Sequence, residues 1–188
     1  MNLIRIVDFL AAFFGLILLS PFILIIALIL FAEHRKPFFI QKRVGKDQKP
    51  FNLIKFRSMS PKAANLPTHE ISAHLITKTG KFIRATKLDE LPQLWNVLKG
   101  EMSLVGPRPC LPTQEELIKE RASRGVFSLR PGITGPAQVQ NIDMSTPTKL
   151  AIEDSKMVEN LKISDYIKYV LMTITGSGQG DKVQSNST

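Results

Sequence analysis

Two adjacent carboxylates, Asp89 and Glu90, open a run whose spacing predicts a helix. Four apolar residues follow at i, i+3, i+4 and i+7 and give that helix one apolar face: Leu91, Leu94, Trp95 and Leu98. A carboxylate at a helix N-terminus stays ionised, and a phosphate could dock beside it. This chemistry suits an aspartate that attacks phosphorus, with a neighbouring acid that holds a divalent cation or manages a proton. Capping of the helix by Asp89 is the alternative interpretation.

Arg108 lies between two prolines shortly after this predicted helix. Its planar guanidinium matches a pair of phosphate oxygens, and the prolines reduce the entropy that is lost when it is placed. We therefore predict a bidentate phosphate contact for Arg108, with a surface arginine in a rigid turn as the alternative. Arg130 is a weaker candidate for the same role, and Gly132 and Gly135 could let backbone N–H groups approach phosphate.

Three of the basic residues that precede the acidic pair are further candidates for phosphate binding. Lys55 and Arg57 alternate along an extended run, so both should face one side, where they could bind a headgroup or substrate phosphate. A solvated basic edge explains these two residues equally well. Arg84 comes just before the pair and is a candidate auxiliary phosphate ligand.

The run 88–109 closely resembles the core signature of the monotopic phosphoglycosyl transferases, a family of bacterial sugar transferases. Three more blocks resemble this family in the same order: residues 39–59, 79–84 and 130–139. Four blocks in register are highly specific. The chain also departs from residues that are common in the family, at Gln48, Lys87 and Gln140-Asn141. These departures bear on sugar preference more than on reaction type.

The resemblance implies a two-step transfer. Asp89 attacks the sugar-bearing phosphorus of a UDP-sugar, often N-acetylated, and expels UMP. Polyprenyl phosphate, such as undecaprenyl phosphate, then takes the phosphosugar from Asp89. The lipid product starts assembly of a glycoconjugate such as lipopolysaccharide O-antigen or capsule. Asp89 and Glu90 would hold Mg²⁺ with phosphate oxygens and water, because this ion favours hard oxygen ligands and keeps part of its hydration shell.

Residues 9–32 are uncharged and almost wholly apolar. As a straight helix they would be about 36 Å long, against a hydrocarbon core of about 30 Å. Ser20 and Pro21 fall in the middle, where the missing N–H of Pro21 predicts a kink or break. Positive charge on both flanks gives no preferred crossing direction. A kinked spanning helix and a re-entrant helix both fit these residues, and the family resemblance favours a re-entrant helix-break-helix over residues 1–36.

The chain of 188 residues carries 25 Lys and Arg against 16 Asp and Glu, and all but one of the basic residues lie at or after Arg35. Basic charge beside an apolar anchor indicates attraction to anionic membrane lipids and phosphate ligands. No nucleic-acid module is recognisable, so nucleic-acid binding is disfavoured. The single cysteine, Cys110, excludes an intramolecular disulfide and fits a reducing compartment. A basic membrane adaptor without catalysis and a membrane phosphohydrolase are the competing hypotheses.

The overall pattern predicts an α+β fold, with a mostly helical, membrane-associated catalytic domain at 37–175 that has few short strands, and a flexible tail at 176–188. We expect extended segments around a turn at 45–50 and helices at four places: 71–84, 114–123, 148–160 and 163–175. Residues 127–139 should end in a short strand, and Asp154 should lie on a helix surface. The expected location is the cytoplasmic face of the bacterial inner membrane. A homo-oligomer is possible.

Overall fold

The computed structural model describes residues 3–59 and 77–175. Within these ranges the chain forms helices α1 (Leu3–His34), α2 (Lys78–Ala85), α3 (Gln93–Lys99), α4 (Glu115–Ser123), α5 (Pro136–Val139), α6 (Pro147–Asn160) and α7 (Ile163–Ile174). Its strands are β1 (Phe38–Val44), β2 (Pro50–Phe56), β3 (Ser103–Val105) and β4 (Gly132–Thr134). The predicted α+β class, mostly helical with few short strands, is confirmed. The predicted tail at 176–188 and the start of the predicted helix at 71–84 lie outside the described residues.

The strands form two small pairs. β1 and β2 make an antiparallel hairpin, with Phe38 opposite Phe56 and Val44 opposite Pro50, around the turn expected at 45–50. β3 and β4 run parallel, with Ser103 opposite Gly132. Each pair is too small to be stable by itself, so helices must cover it.

Helix α1 extends from Leu3 to His34 with Pro21 inside it, so helical structure does not end at Ser20 and Pro21. The change of direction expected at these two residues stays a prediction. A proline at position 21 cannot donate to the carbonyl of Ile17. The Ser20 hydroxyl donates to that same oxygen instead, at 2.8 Å. Because the orphaned carbonyl is satisfied locally, the helix continues through the proline.

Both halves of α1 pack against the rest of the protein. In the first half, Ala12 is fully buried in an apolar cluster with Phe51, Leu53, Val97 and Met102. In the second half, Leu30 is fully buried in another cluster with Phe56 and Ile83. The helix is long and apolar enough to cross a membrane, and its outward face is a continuous apolar surface.

The predicted buried face of the helix after the acidic pair is wrong in part. Trp95 is 50% exposed, and the buried residues of α3 are Gln93, Asn96 and Val97. Asn96 determines this orientation because its side chain bonds the edge of β2. Its Oδ1 accepts from the Ile54 N–H, and its Nδ2 donates to the Asn52 carbonyl at 2.7 Å. A buried amide needs such partners, so polar residues occupy the inner face of this helix.

The C-terminal half confirms the helices expected at 114–123, 148–160 and 163–175. The short strand expected at the end of 127–139 is wrong, because residues after β4 form the helical turn α5, which starts at Pro136. The surface position expected for Asp154 is also wrong. Asp154 is fully buried and forms an ion pair with Arg121 on α4. A buried carboxylate requires such a partner, and the partner's position cannot be read from helical periodicity.

Candidate active site

Asp89 and Glu90 lie on a 3-10 turn, Leu88–Glu90, between α2 and α3. The alternative interpretation, in which Asp89 caps the helix, is therefore wrong, because α3 begins only at Gln93, after Pro92. Lys87 precedes the turn with a φ of 57°, in the left-handed region that residues other than glycine rarely adopt. This reversal brings the carboxylates back towards the residues that α2 and β2 present.

Helix α2 is fixed by a close backbone contact. A Cβ built on Gly80 would lie 1.9 Å from the carbonyl oxygen of Ser58, so only glycine fits there. Thr77 caps the helix by accepting a hydrogen bond from the Gly80 N–H at 2.9 Å. Ile83 is buried in the cluster that includes Phe56 and Leu30. These contacts place Arg84, near the end of α2, in the electrostatic environment of Asp89.

Asp89 is the buried member of the acidic pair, with 8% of its surface exposed. Burial and the neighbouring charge of Glu90 raise its pKa from 3.8 to about 6, although Lys55, Arg84 and Arg108 oppose the rise. A pKa near neutrality leaves a carboxylate that is ionised at pH 7 and poorly solvated. Poor solvation makes it a better nucleophile than a surface aspartate and also a candidate proton acceptor.

Four cations surround the pair: Lys55, Arg84, Lys87 and Arg108. Burial lowers the pKa of the half-buried Lys55 to about 8, against the opposing effect of Asp89, while Arg43, Arg108 and Arg84 lower it further. Burial also lowers the pKa of Lys87, and Glu90 opposes that change. With more positive than negative groups, this site favours an anionic ligand with more than one charge.

Arg108 faces the second carboxylate. Its Nη1 lies 3.7 Å from Oε1 of Glu90, and both side chains are partly exposed. The separation is that of a loose ion pair, and a guanidinium is well suited to bind the oxygens of an incoming oxyanion. The structure thus brings together five residues that the sequence predicted for the site: Lys55, Arg84, Asp89, Glu90 and Arg108.

Arg57 and Arg130 are bonded to backbone groups elsewhere. Lys55 and Arg57 do share a face, because both lie over the ring of Phe39, at 5.6 and 5.5 Å from its centroid. However, Arg57 donates to the carbonyls of Lys36 and Phe38. Arg130 donates to the carbonyl of Gly100, at the end of α3. Both arginines therefore support the fold around the site.

Gly132 and Gly135 pack against the backbone of Gly106. A Cβ on Gly132 would lie 2.0 Å from the Gly106 nitrogen, and one on Gly135 would lie 2.4 Å from the Gly106 oxygen. The N–H of Gly132 donates to the Pro107 carbonyl at 2.9 Å. These glycines let β4 and the loop before Arg108 meet at backbone distance, and the Gly132 N–H is already committed.

The acidic pair has the donor set for Mg²⁺ with incomplete protein ligation. Among the described residues, no cluster of three or more His, Cys, Asp or Glu could hold a metal ion. However, burial and then repulsion by Glu90 raise the pKa of Asp89. A divalent cation between them would relieve this repulsion. Mg²⁺ commonly binds through one or two carboxylates, substrate phosphates and water, so the pair fits this ion.

Sequence reasoning missed several supporting residues. Lys87 was noted only as a departure from the family's common residue, although its charge interacts with both Glu90 and Arg108. Asp8, on the apolar helix α1, is buried and accepts hydrogen bonds from the Ser103 hydroxyl, the Leu104 N–H and the Tyr166 hydroxyl. One signal in the sequence indicated a buried role of Asp8, which is its position next to a long apolar segment. The partners of Asp8 could not be read from the sequence, because they are 95 or more residues away in the chain.

A comparison of the sequence with known protein families agrees with a transferase site. The family model of the bacterial sugar transferases matches residues 1–179, which is nearly the whole chain. The chain therefore belongs to the bacterial sugar transferase family and is a transferase enzyme.

Several relatives carry more specific names. The chain is 39% identical over 178 residues to a protein named uncharacterized sugar transferase EpsL from Bacillus subtilis, and the match covers 93% of this chain and 86% of EpsL. It is 35% identical over 188 residues to the exopolysaccharide production protein ExoY of Rhizobium meliloti, covering 89% of this chain and 81% of ExoY. It is 39% identical over 152 residues to the Klebsiella pneumoniae UDP-glucose:undecaprenyl-phosphate glucose-1-phosphate transferase, covering 77% of this chain but 32% of that longer protein.

Proposed function

We propose that this protein transfers a phosphosugar from a UDP-sugar to a polyprenyl phosphate such as undecaprenyl phosphate. The observation that carries the proposal is the buried Asp89, beside Glu90, within a ring of cations next to an apolar surface helix. A nucleoside-diphosphate sugar brings at least two negative charges, which matches the surplus of positive groups. The Klebsiella relative's name describes a reaction of the same kind for that protein.

The reaction proceeds in two displacements at phosphorus. In the first, an Oδ atom of Asp89 forms a bond to the sugar-bearing phosphorus, and the bond from that phosphorus to the UMP oxygen breaks. In the second, an oxygen of the lipid phosphate attacks the same phosphorus, and the bond to Asp89 breaks. Covalent catalysis of this kind divides one difficult transfer between two large substrates into two simpler ones.

The surrounding residues position phosphate and neutralise charge. Arg108 and Lys55 contact the donor's phosphate oxygens, and Arg84 adds positive charge as charge develops on them. Asp89 and Glu90 would hold Mg²⁺, which supplies charge neutralisation when it is bound. Glu90 also keeps Arg108 close to the reacting group through their loose ion pair.

The proposed membrane arrangement is monotopic, with both ends of α1 on the cytoplasmic face of the inner membrane. Its support is that Ala12 and Leu30, in opposite halves of α1, are both buried against the same domain. A helix that crossed the bilayer steeply would carry one of these halves away from that domain. An enzyme that is seated in one leaflet meets the lipid phosphate at the headgroup plane without extracting its tail.

The decisive experiment measures nucleotide release from detergent-solubilised protein. The donor panel contains UDP-glucose, UDP-galactose and UDP-N-acetyl sugars, each with and without polyprenyl phosphate and Mg²⁺. We expect UMP from at least one donor, and an acceptor-free phosphosugar adduct on the Asp89 peptide by mass spectrometry. The predicted preference for an N-acetylated sugar is decided by the same panel.

Asp89→Asn is the matched variant for this experiment, because it keeps the shape of the side chain and removes the nucleophilic oxygen's charge. It should give neither UMP nor adduct. Release of UDP in place of UMP would contradict the proposal, because it would mean cleavage of the bond between sugar and phosphate. Normal UMP release by Asp89→Asn would contradict the role of Asp89.

A further inference from the structure

Four consecutive carbonyl groups in the loop around Arg108 each accept a hydrogen bond. The Pro107 carbonyl accepts from the Gly132 N–H at 2.9 Å, and the Cys110 carbonyl accepts from the Val44 N–H at 2.9 Å. Between them, the Arg108 carbonyl accepts from Arg121 Nη1 at 2.8 Å, and the Pro109 carbonyl accepts from Arg43 Nη1 at 3.0 Å. The donors come from β4, α4 and β1, so three separate elements hold one short loop.

The prolines explain why the carbonyls are the groups that are held. Pro107 and Pro109 have no N–H, so the backbone on either side of Arg108 can be fixed only through its oxygens. The side chain of Arg108 extends towards Glu90. A loop that is anchored in this way gives Arg108 one backbone position.

Two of the four donors are buried guanidinium groups. Arg121 is 2% exposed and donates through Nε and Nη2 to Oδ2 of Asp154, which is fully buried. Arg43 is also buried and donates to Gln41 through its Nη2. Buried ion pairs are poor contributors to stability compared with apolar residues of similar volume. We therefore expect the hydrogen bond from Arg121 Nη1 to the Arg108 carbonyl to serve a purpose other than stability.

We infer that Arg43 and the Arg121–Asp154 pair are positioning residues for Arg108. They act on Arg108 through the loop backbone, and they hold the Arg108 guanidinium at the reach that a donor diphosphate requires. The inference rests on the proposed phosphate contact of Arg108. A displacement of about 1 Å in a group that positions substrate can lower the rate about 100-fold, so a buried pair of this kind can control the reaction without touching it.

The test is a double-mutant cycle between Arg121→Lys and Arg108→Ala. A lysine at position 121 keeps a charge for Asp154, but it lacks the planar fork that serves the carboxylate and the Arg108 carbonyl together. Glu153→Gln is the matched control, since Glu153 is the preceding residue on α6 and, among the described residues, its side chain bonds Lys156 and Gln140. Arg43→Lys is the second test variant in case Arg121→Lys does not fold.

The cycle is measured on two quantities: kcat/KM for the UDP-sugar and the affinity of the protein for UDP. We expect Arg121→Lys to lower kcat/KM about tenfold or more in the wild-type background, within the range for a displaced positioning group. In the Arg108→Ala background the same change should alter either quantity less than twofold. Glu153→Gln should leave both unchanged, and the Tm of Arg121→Lys should not account for its loss.

An equal loss with and without Arg108 would overturn the inference, because it would mean a general structural role. Failure of the proposed function looks different. In that case the wild type binds UDP but releases no UMP, and the cycle on UDP affinity still decides whether Arg121 acts through Arg108. If the wild type does not bind UDP, both proposals are wrong.

Discussion

Replacement of Asp89 by asparagine should stabilise the protein while it abolishes the reaction. In the folded protein the pKa of Asp89 is raised from 3.8 to about 6, chiefly by burial and then by Glu90. Between these two values the folded protein keeps a proton that the unfolded chain has lost. Stability therefore falls as the pH rises from about 4 to about 6, and the full loss is present above the folded pKa.

The size of the effect follows from the shift. Each pKa unit corresponds to 1.36 kcal/mol, so a shift of about two units is a penalty of about 3 kcal/mol at neutral and alkaline pH. Asparagine resembles the neutral acid and avoids this penalty. For a chain of this size, about 3 kcal/mol corresponds to a rise in Tm of about 6–12 °C.

The assay is thermal unfolding of the wild type and Asp89→Asn in the same detergent, without Mg²⁺, at pH 4, 6 and 8. The variant should have the higher Tm at pH 8, and the difference should close towards pH 4. Glu116→Gln is the control, because Glu116 is exposed on α4 and its replacement should change stability by less than about 0.5 kcal/mol. A lower Tm for Asp89→Asn at pH 8, or a difference that does not depend on pH, would refute the reasoning.

Three other predictions follow from the site and its support. The value of kcat/KM should rise with pH through about 6 as Asp89 ionises and fall above about 8 as Lys55 loses its proton. Lys55→Met should lower the maximum value of kcat/KM and remove the alkaline fall. A fall that persists in this variant would assign the alkaline pKa to another group. Mg²⁺ at millimolar concentration should raise the Tm of the wild type but not that of Asp89→Asn, because the acidic pair is the proposed ligand. An equal rise in Tm for both proteins would place the ion elsewhere. Asp8→Asn should destabilise the protein by about 1–3 kcal/mol, because an amide cannot accept from all three donors that Asp8 serves. Chemical denaturation measures this loss of stability, and an unchanged midpoint would contradict the prediction.

The sequence predicted residues that the structure brings together at the site, but it did not predict the residues that support them. Asp89, Glu90 and Arg108 could be recognised because their residue types and motif carry the information locally. The positions of Asn96 and Asp154 could not, because each is buried through a partner that lies far away in the chain. Helical periodicity counts apolar residues, so it placed Trp95 inside and Asp154 outside. In the structure, Asn96 is buried against the edge of β2, and Asp154 is buried against the guanidinium of Arg121.

Pro21 shows the same limit at a single turn. A proline removes one donor, and this much is certain from the sequence. Whether the helix then ends depends on whether another group satisfies the abandoned carbonyl. Here the neighbouring Ser20 hydroxyl does so, which residue type alone allows but does not require.

Polar contacts in the first turns of α1 join this helix to the segment that follows the acidic pair. Arg5 donates to the Val97 and Leu98 carbonyls at the end of α3, and Asp8 bonds the Leu104 N–H next to it. During synthesis, α1 emerges long before the segment that follows Asp89. The side chains of Arg5 and Asp8 therefore lack these partners until that segment has been synthesised. Because the segment that follows Asp89 bonds the first turns of α1, removal of α1 should disturb the active-site region as well as the apolar surface.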